Sequence, residues 1–92
     1  MISLPTQMLA KTQKDVDFIK KEIPKACGFS GNVMAKKQTQ KEWQKSYEMG
    51  RLSSVLIEYC PKLAPIKESS ITDVYDFLYE YARDSGKDAT CY

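Results

Sequence analysis

"SSITDVYDFLYEYARDSG", residues 69–86, is the stretch on which the reading of the fold turns. Ser70 and Asp73 form the S-x-x-D pattern of a helix start. Ile71, Val74, Tyr75, Leu78, Tyr81 and Ala82 follow the i, i+3, i+4, i+7 template, with Phe77 on the shoulder. Asp73, Asp76, Glu80 and Asp84 form a row of acids away from that stripe. Arg83 falls where the helix dipole favours a cation, and Gly86 is spaced as a C′ cap. These signals agree on an amphipathic helix over 70–85. Such a helix has one dry side, so it needs partners from the rest of the chain.

Upstream, "SLPTQMLAKTQKDVDFIKKEIP" (3–24) places Met8, Thr12, Val16, Ile19 and Ile23 three or four apart with lysines between them. Pro24 is expected to stop this helix at or before Ile23. "KACGFSGN" (25–32) reads as a loop, and "VMAKK" (33–37) as a short helical turn entered from Ser30 or Asn32. "TQKEWQKSYEMGRLSSVLIEYC" (39–60) opens with a capping box, Thr39 and Glu42. Its apolar face rotates around Gly50: Trp43 and Tyr47 lie on one side, Leu52, Val55, Leu56 and Tyr59 nearer the other. A bend at Gly50, or a helix packed on two neighbours, would account for that. Pro61 and Pro65 make the next segment a rigid connector. The sequence therefore predicts one all-α domain, a small bundle of three main helices over about 8–22, 39–60 and 70–85, with an extra short turn near 33–37.

Composition narrows the chemistry. The 92 residues contain no histidine, so the commonest general base and every Ser-His or Cys-His pair are absent. The acid row sits opposite the apolar stripe, where water surrounds carboxylates rather than pushing their pKa values apart. It reads as a solubilising face, and no compact D-x-D-x-D loop supports a cation site. No catalytic residue, metal ligand set or cofactor is assigned, and the chain is expected not to be an enzyme.

Charge is unevenly spread. Residues 1–45 carry nine lysines against four acids, a net of +5, and residues 46–92 carry five basic against eight acidic residues, a net of −3. The basic half superficially has a helix-turn-helix rhythm around Gly28. Pro24, however, falls inside the first of the two helices, and only Arg51 and Arg83 could read base edges as arginines do.

No span approaches the ~18–20 apolar residues of a membrane crossing, and "MISLPTQMLA" lacks the basic start and apolar block of a signal peptide. Cys27, Cys60 and Cys91 lie 33 and 31 residues apart, which suits no metal spacing. With three helices running up, down and up, Cys27 and Cys91 share one pole and form the expected bridge. Cys60 replaces Cys91 as the partner if residues 28–38 cross the bundle.

The functional expectation is a small non-enzymatic protein-binding module. An exported or periplasmic accessory subunit, or an inhibitor or immunity-type protein, would fit, working as a monomer or small homo-oligomer. Its partner is another protein, met through Trp43, Tyr47, Tyr79, Lys36, Lys37 and Lys41, because there is more aromatic surface than so small a core hides. The alternative is a cytosolic lysine-rich nucleic-acid-binding or regulatory protein.

Overall fold

The computed structural model describes residues 17–89, and all regular structure among them is helical. A π-helical turn, Phe18–Glu22, leads into α1, Ile23–Cys27. There follow α2, Gly31–Ala35, then α3, Gln40–Glu48, and α4, Leu52–Tyr59. A 3-10 turn, Glu68–Ser70, leads into α5, Ile71–Glu80. Ile19, Ile23, Met34, Trp43, Leu56, Val74 and Leu78 form the driest part of a single core to which every helix contributes.

The first helix does not stop before Pro24, as the sequence reading expects. The Ile23 N–H donates to the Phe18 carbonyl, five residues back, so the ladder has widened just ahead of the proline. Pro24 has no N–H and sits at the change of register, in the first turn of α1, where a missing donor is tolerated. The helix ends instead at Gly28, whose left-handed φ of 78° lets its N–H bond the Pro24 carbonyl. Residues 8–16 of the expected helix lie outside the described residues.

The stretch 39–60 is two helices. The capping box is present, with the Glu42 N–H on the Thr39 hydroxyl (3.2 Å) and the Thr39 N–H on the Glu42 carboxylate (2.9 Å). Gly50 then terminates α3 outright. At φ 69° it allows the Arg51 N–H to reach the Ser46 carbonyl (2.8 Å) and its own N–H to reach Tyr47 (3.1 Å), the paired bonds of a Schellman cap. The chain reverses there, and α4 brings Tyr59 back to the start of α3, where its hydroxyl accepts from the Gln38 amide (3.0 Å). The rotation of the apolar face around Gly50 thus records a change of direction.

That reversal corrects the cysteine pairing. A continuous helix over 39–60 would carry Cys60 to the far pole, but α4 returns it to the pole of Thr39, and it bonds Cys27 with Cα atoms 5.5 Å apart. The expected Cys27–Cys91 bridge is replaced by Cys27–Cys60, and Cys91 lies outside the described residues. The connector 61–67 then runs back beside α4, where the Ile66 N–H donates to Ser53 Oγ (3.0 Å), and delivers the chain to α5.

α5 starts where the sequence places it, although Ser70 makes no capping bond: its backbone is already helical, continued from the 3-10 turn. Its end comes early. After Tyr81 the Arg83 N–H turns to the Gln38 carbonyl (3.0 Å), so the chain leaves the helix before Gly86. α5 lies antiparallel to α3, with Gln40 against the Tyr79 carbonyl (3.0 Å) at one end and Tyr47 against Thr72 (3.0 Å) at the other.

α2 is the small piece that locks this arrangement. Trp43, completely buried, donates its indole N–H to the Ala35 carbonyl (2.9 Å), an acceptor that a helix end leaves free. Gly31 is packed so closely on the π-helical turn that a Cβ would run into Ile19 Cγ2 and crowd the Ile19 carbonyl (3.3 Å). Ile19 is itself buried and β-branched, so it has little room to yield. Gly31→Ala should therefore destabilise the domain by about 1–3 kcal/mol, read as a lower denaturant midpoint.

Candidate functional site

Two antiparallel helices decide which aromatic rings meet. On α5, Tyr75 and Tyr79 are four residues apart and so share a face. Because α3 runs the other way, Tyr47 near its C-terminus falls opposite Tyr75 near the N-terminal half of α5. The Tyr47 and Tyr75 rings stack with centroids 4.1 Å apart and planes 6° from parallel. Tyr79 continues the row, 5.7 Å from Tyr75 and tilted by 53°. The Tyr47 hydroxyl is tied to Thr72 Oγ1, which fixes the stack at its far end. Tyr47 and Tyr75 are half-buried and Tyr79 is 38 % exposed, so the three rings form one aromatic strip open to solvent.

Two of the predicted contact residues, Tyr47 and Tyr79, are thus brought together, with Tyr75 between them. Trp43 is not part of the strip. It faces the other way and has no exposed surface, so it serves the core. The sequence reading assigns Tyr75 to the apolar stripe and passes over Thr72. The Tyr75–Tyr79 spacing was visible, but Tyr47 joins them only through the register of α3 on α5.

The lysines do not form one group. Lys36 turns inward: its ammonium donates to the carbonyls of Tyr81 (2.9 Å) and Lys87 (2.6 Å) and lies 3.3 Å from the Asp88 carboxylate. It is a cation set on the C-terminal end of α5, where the helix dipole favours it. Lys37 lies over the Phe29 ring, 4.9 Å from its centroid. Lys41 is exposed and lines an open depression on α3 with Gln44, Lys45 and Glu48.

The carboxylates of α5 are also dispersed. Asp84 accepts from the Gln40 N–H (2.9 Å) at the start of α3, Glu80 lies 3.9 Å from Lys87, and Asp76 is exposed. Among the described residues no three His, Cys, Asp or Glu side chains are grouped to hold a metal ion, and no helix is long and apolar enough to cross a membrane. The other depressions are open too. One, of about 260 Å³, is lined by Lys45, Ser46, Met49, Arg51 and Val55. Another, of about 420 Å³, lies between Phe18 and Pro65.

The surroundings of Tyr75 disfavour its ionised form. Burial pushes the Tyr75 hydroxyl above its ordinary value of 10.0, and Tyr79, Glu48, Asp76 and Tyr47 add to the shift in that order. The unfolded chain therefore loses this proton first, and stability falls as pH rises from about 10 through the folded value. Absorbance at 295 nm should show a tyrosine ionising above the ordinary tyrosine range. Tyr75→Phe should remove that late step and flatten the alkaline loss of stability.

Comparison with family models, with curated proteins and with solved structures finds no match to this chain, so the functional reading rests on the aromatic strip and its surroundings.

Proposed function

We propose that the protein is a small non-enzymatic binding module that meets another protein through the Tyr47–Tyr75–Tyr79 strip. The observation that carries the reading is the strip itself. Tyr47 stacks on Tyr75, and Tyr79 continues the row at a tilt, so that three partly exposed tyrosines lie in order along α3 and α5. Tyrosine is enriched at protein interfaces because it offers large, rigid contact area at small entropic loss, with a hydroxyl for the wet edge. Met49, 57 % exposed, adds an adaptable apolar group at the end of α3.

The disulfide favours an oxidising compartment, consistent with an exported or periplasmic accessory subunit or an inhibitor or immunity-type protein. The test is to place a photo-crosslinking residue at position 79 in the source cell, identify the captured protein, and measure its affinity for purified variants. Tyr47→Ala and Tyr79→Ala should each weaken binding about tenfold or more, with the far-UV spectrum unchanged. Unchanged affinity in both variants would overturn the reading.

The exposed lysines Lys37, Lys41 and Lys45 keep a second reading in play, a cytosolic nucleic-acid-binding or regulatory protein. Retention on heparin that falls steeply with salt would favour it, since phosphate contacts release counterions. Elution near the salt of an ordinary weakly basic protein favours the binding module.

A further inference from the structure

We propose that Tyr47 and Tyr75 form a modification site, where oxidation by a haem peroxidase and hydrogen peroxide joins the two rings as an intrachain dityrosine. The proposal does not depend on what binds the strip. It rests on a contact between two phenols from different helices, face to face with centroids 4.1 Å apart and planes 6° from parallel.

The geometry singles out this pair. Aromatic neighbours in proteins often meet edge to face, whereas a near-parallel pair at this separation lays the ring carbons of one against those of the other. The Tyr47 hydroxyl is held by Thr72 Oγ1 (3.0 Å), so the ring stays in place. Tyr79 is farther from Tyr75, at 5.7 Å, and meets it at 53°. Elsewhere, the Tyr59 hydroxyl accepts from the Gln38 amide, and Tyr81 packs on Phe77. Tyr47 and Tyr75 are both half-buried, which leaves each an edge where an oxidant can take an electron.

The chemistry balances with one peroxide. Each phenol gives an electron to the oxidant and its hydroxyl proton to water. The two phenoxyl radicals then form a carbon–carbon bond between positions ortho to their oxygens. The hydrogens on those carbons move to the oxygens, and both phenols are restored. Two electrons and two protons leave in all, and they reduce one hydrogen peroxide to two waters. Prior contact replaces a bimolecular radical encounter with a step inside one chain, which is why coupling there outruns coupling between chains. Because α5 begins beyond Cys60, the disulfide does not hold it; this bond would tie α5 to α3 in a form that no thiol reduces.

The test uses the full chain with any free thiol alkylated, since a thiol is readily oxidised. After treatment with a haem peroxidase and hydrogen peroxide, the monomer is isolated by size exclusion. It should show dityrosine fluorescence, with a yield per chain that stays constant over about a tenfold range of protein concentration. Mass spectrometry of its digest should find the peptides bearing Tyr47 and Tyr75 joined, with the loss of two hydrogens. Tyr47→Phe and Tyr75→Phe keep the ring packing, and with far-UV spectra unchanged each should cut the monomer fluorescence at least about tenfold. Tyr79→Phe should leave the Tyr47–Tyr75 product in place.

Dityrosine confined to dimers, a monomer product joining Tyr75 to Tyr79 instead, or no product at a peroxide dose that couples free tyrosine overturns the proposal.

Discussion

Trp43→Ala should bring the domain to the edge of unfolding. Removing a completely buried indole leaves a cavity in the core, and large-to-small changes of this kind cost about 3–5 kcal/mol. The Ala35 carbonyl also loses its donor, which leaves the end of α2 without its tie to α3. A domain of this size has a total stability of only about 5–15 kcal/mol, so the loss is a large fraction of the whole. Urea unfolding followed by far-UV circular dichroism measures it without needing the tryptophan as a probe. Trp43→Phe separates the two contributions: it keeps most of the volume, so a much smaller loss than for alanine shows that packing dominates. An alanine variant within 1 kcal/mol of the parent would mean that Trp43 is not at the centre of the core.

The disulfide should rank next. It joins residues 33 apart in sequence, and on the loop-entropy account a closed loop of that length restricts the unfolded chain by about 4 kcal/mol. The double variant Cys27→Ser, Cys60→Ser, or full reduction of the parent, should lower the unfolding midpoint to match. Protein purified without reductant should show one reactive thiol per chain when denatured, and three after reduction. If the paired serine variant were as stable as the parent, the α1–α4 junction would be held by its apolar contacts alone.

Local chemistry made some of this legible and left the rest out of reach. The helix at 71–80 and the capping box at Thr39 were readable because each depends on residues within four positions of one another. The short turn near 33–37 was readable for the same reason, although it begins two residues earlier, with Ser30 accepting from the Val33 N–H. What failed was continuity. Pro24 reads as a stop, but a π-helical turn ahead of it accommodates the missing donor. The pattern around Gly50 suggests a bend or a helix packed on two neighbours, but its left-handed backbone makes it an end.

Those two junctions set the bridge and the site. Once α4 folds back, Cys60 meets Cys27, and α3 becomes free to run antiparallel to α5. Tyr75 then gains Tyr47 as its neighbour, a pairing across 28 residues that no local spacing encodes. The exposure of Tyr79 is legible because it lies off the apolar stripe. Trp43 was misplaced because a single aromatic near a helix start looks the same from the sequence whether it faces in or out.

The Cys27–Cys60 bond turns the stretch between them into a covalent ring that contains the whole of α2, α3 and α4. A protease that nicks this ring at one point would open it without releasing either half. The two fragments would migrate as one band until a reductant was added, and Trp43 would stay tethered to its packing partners. Such a closed stretch lets a single cut be survived.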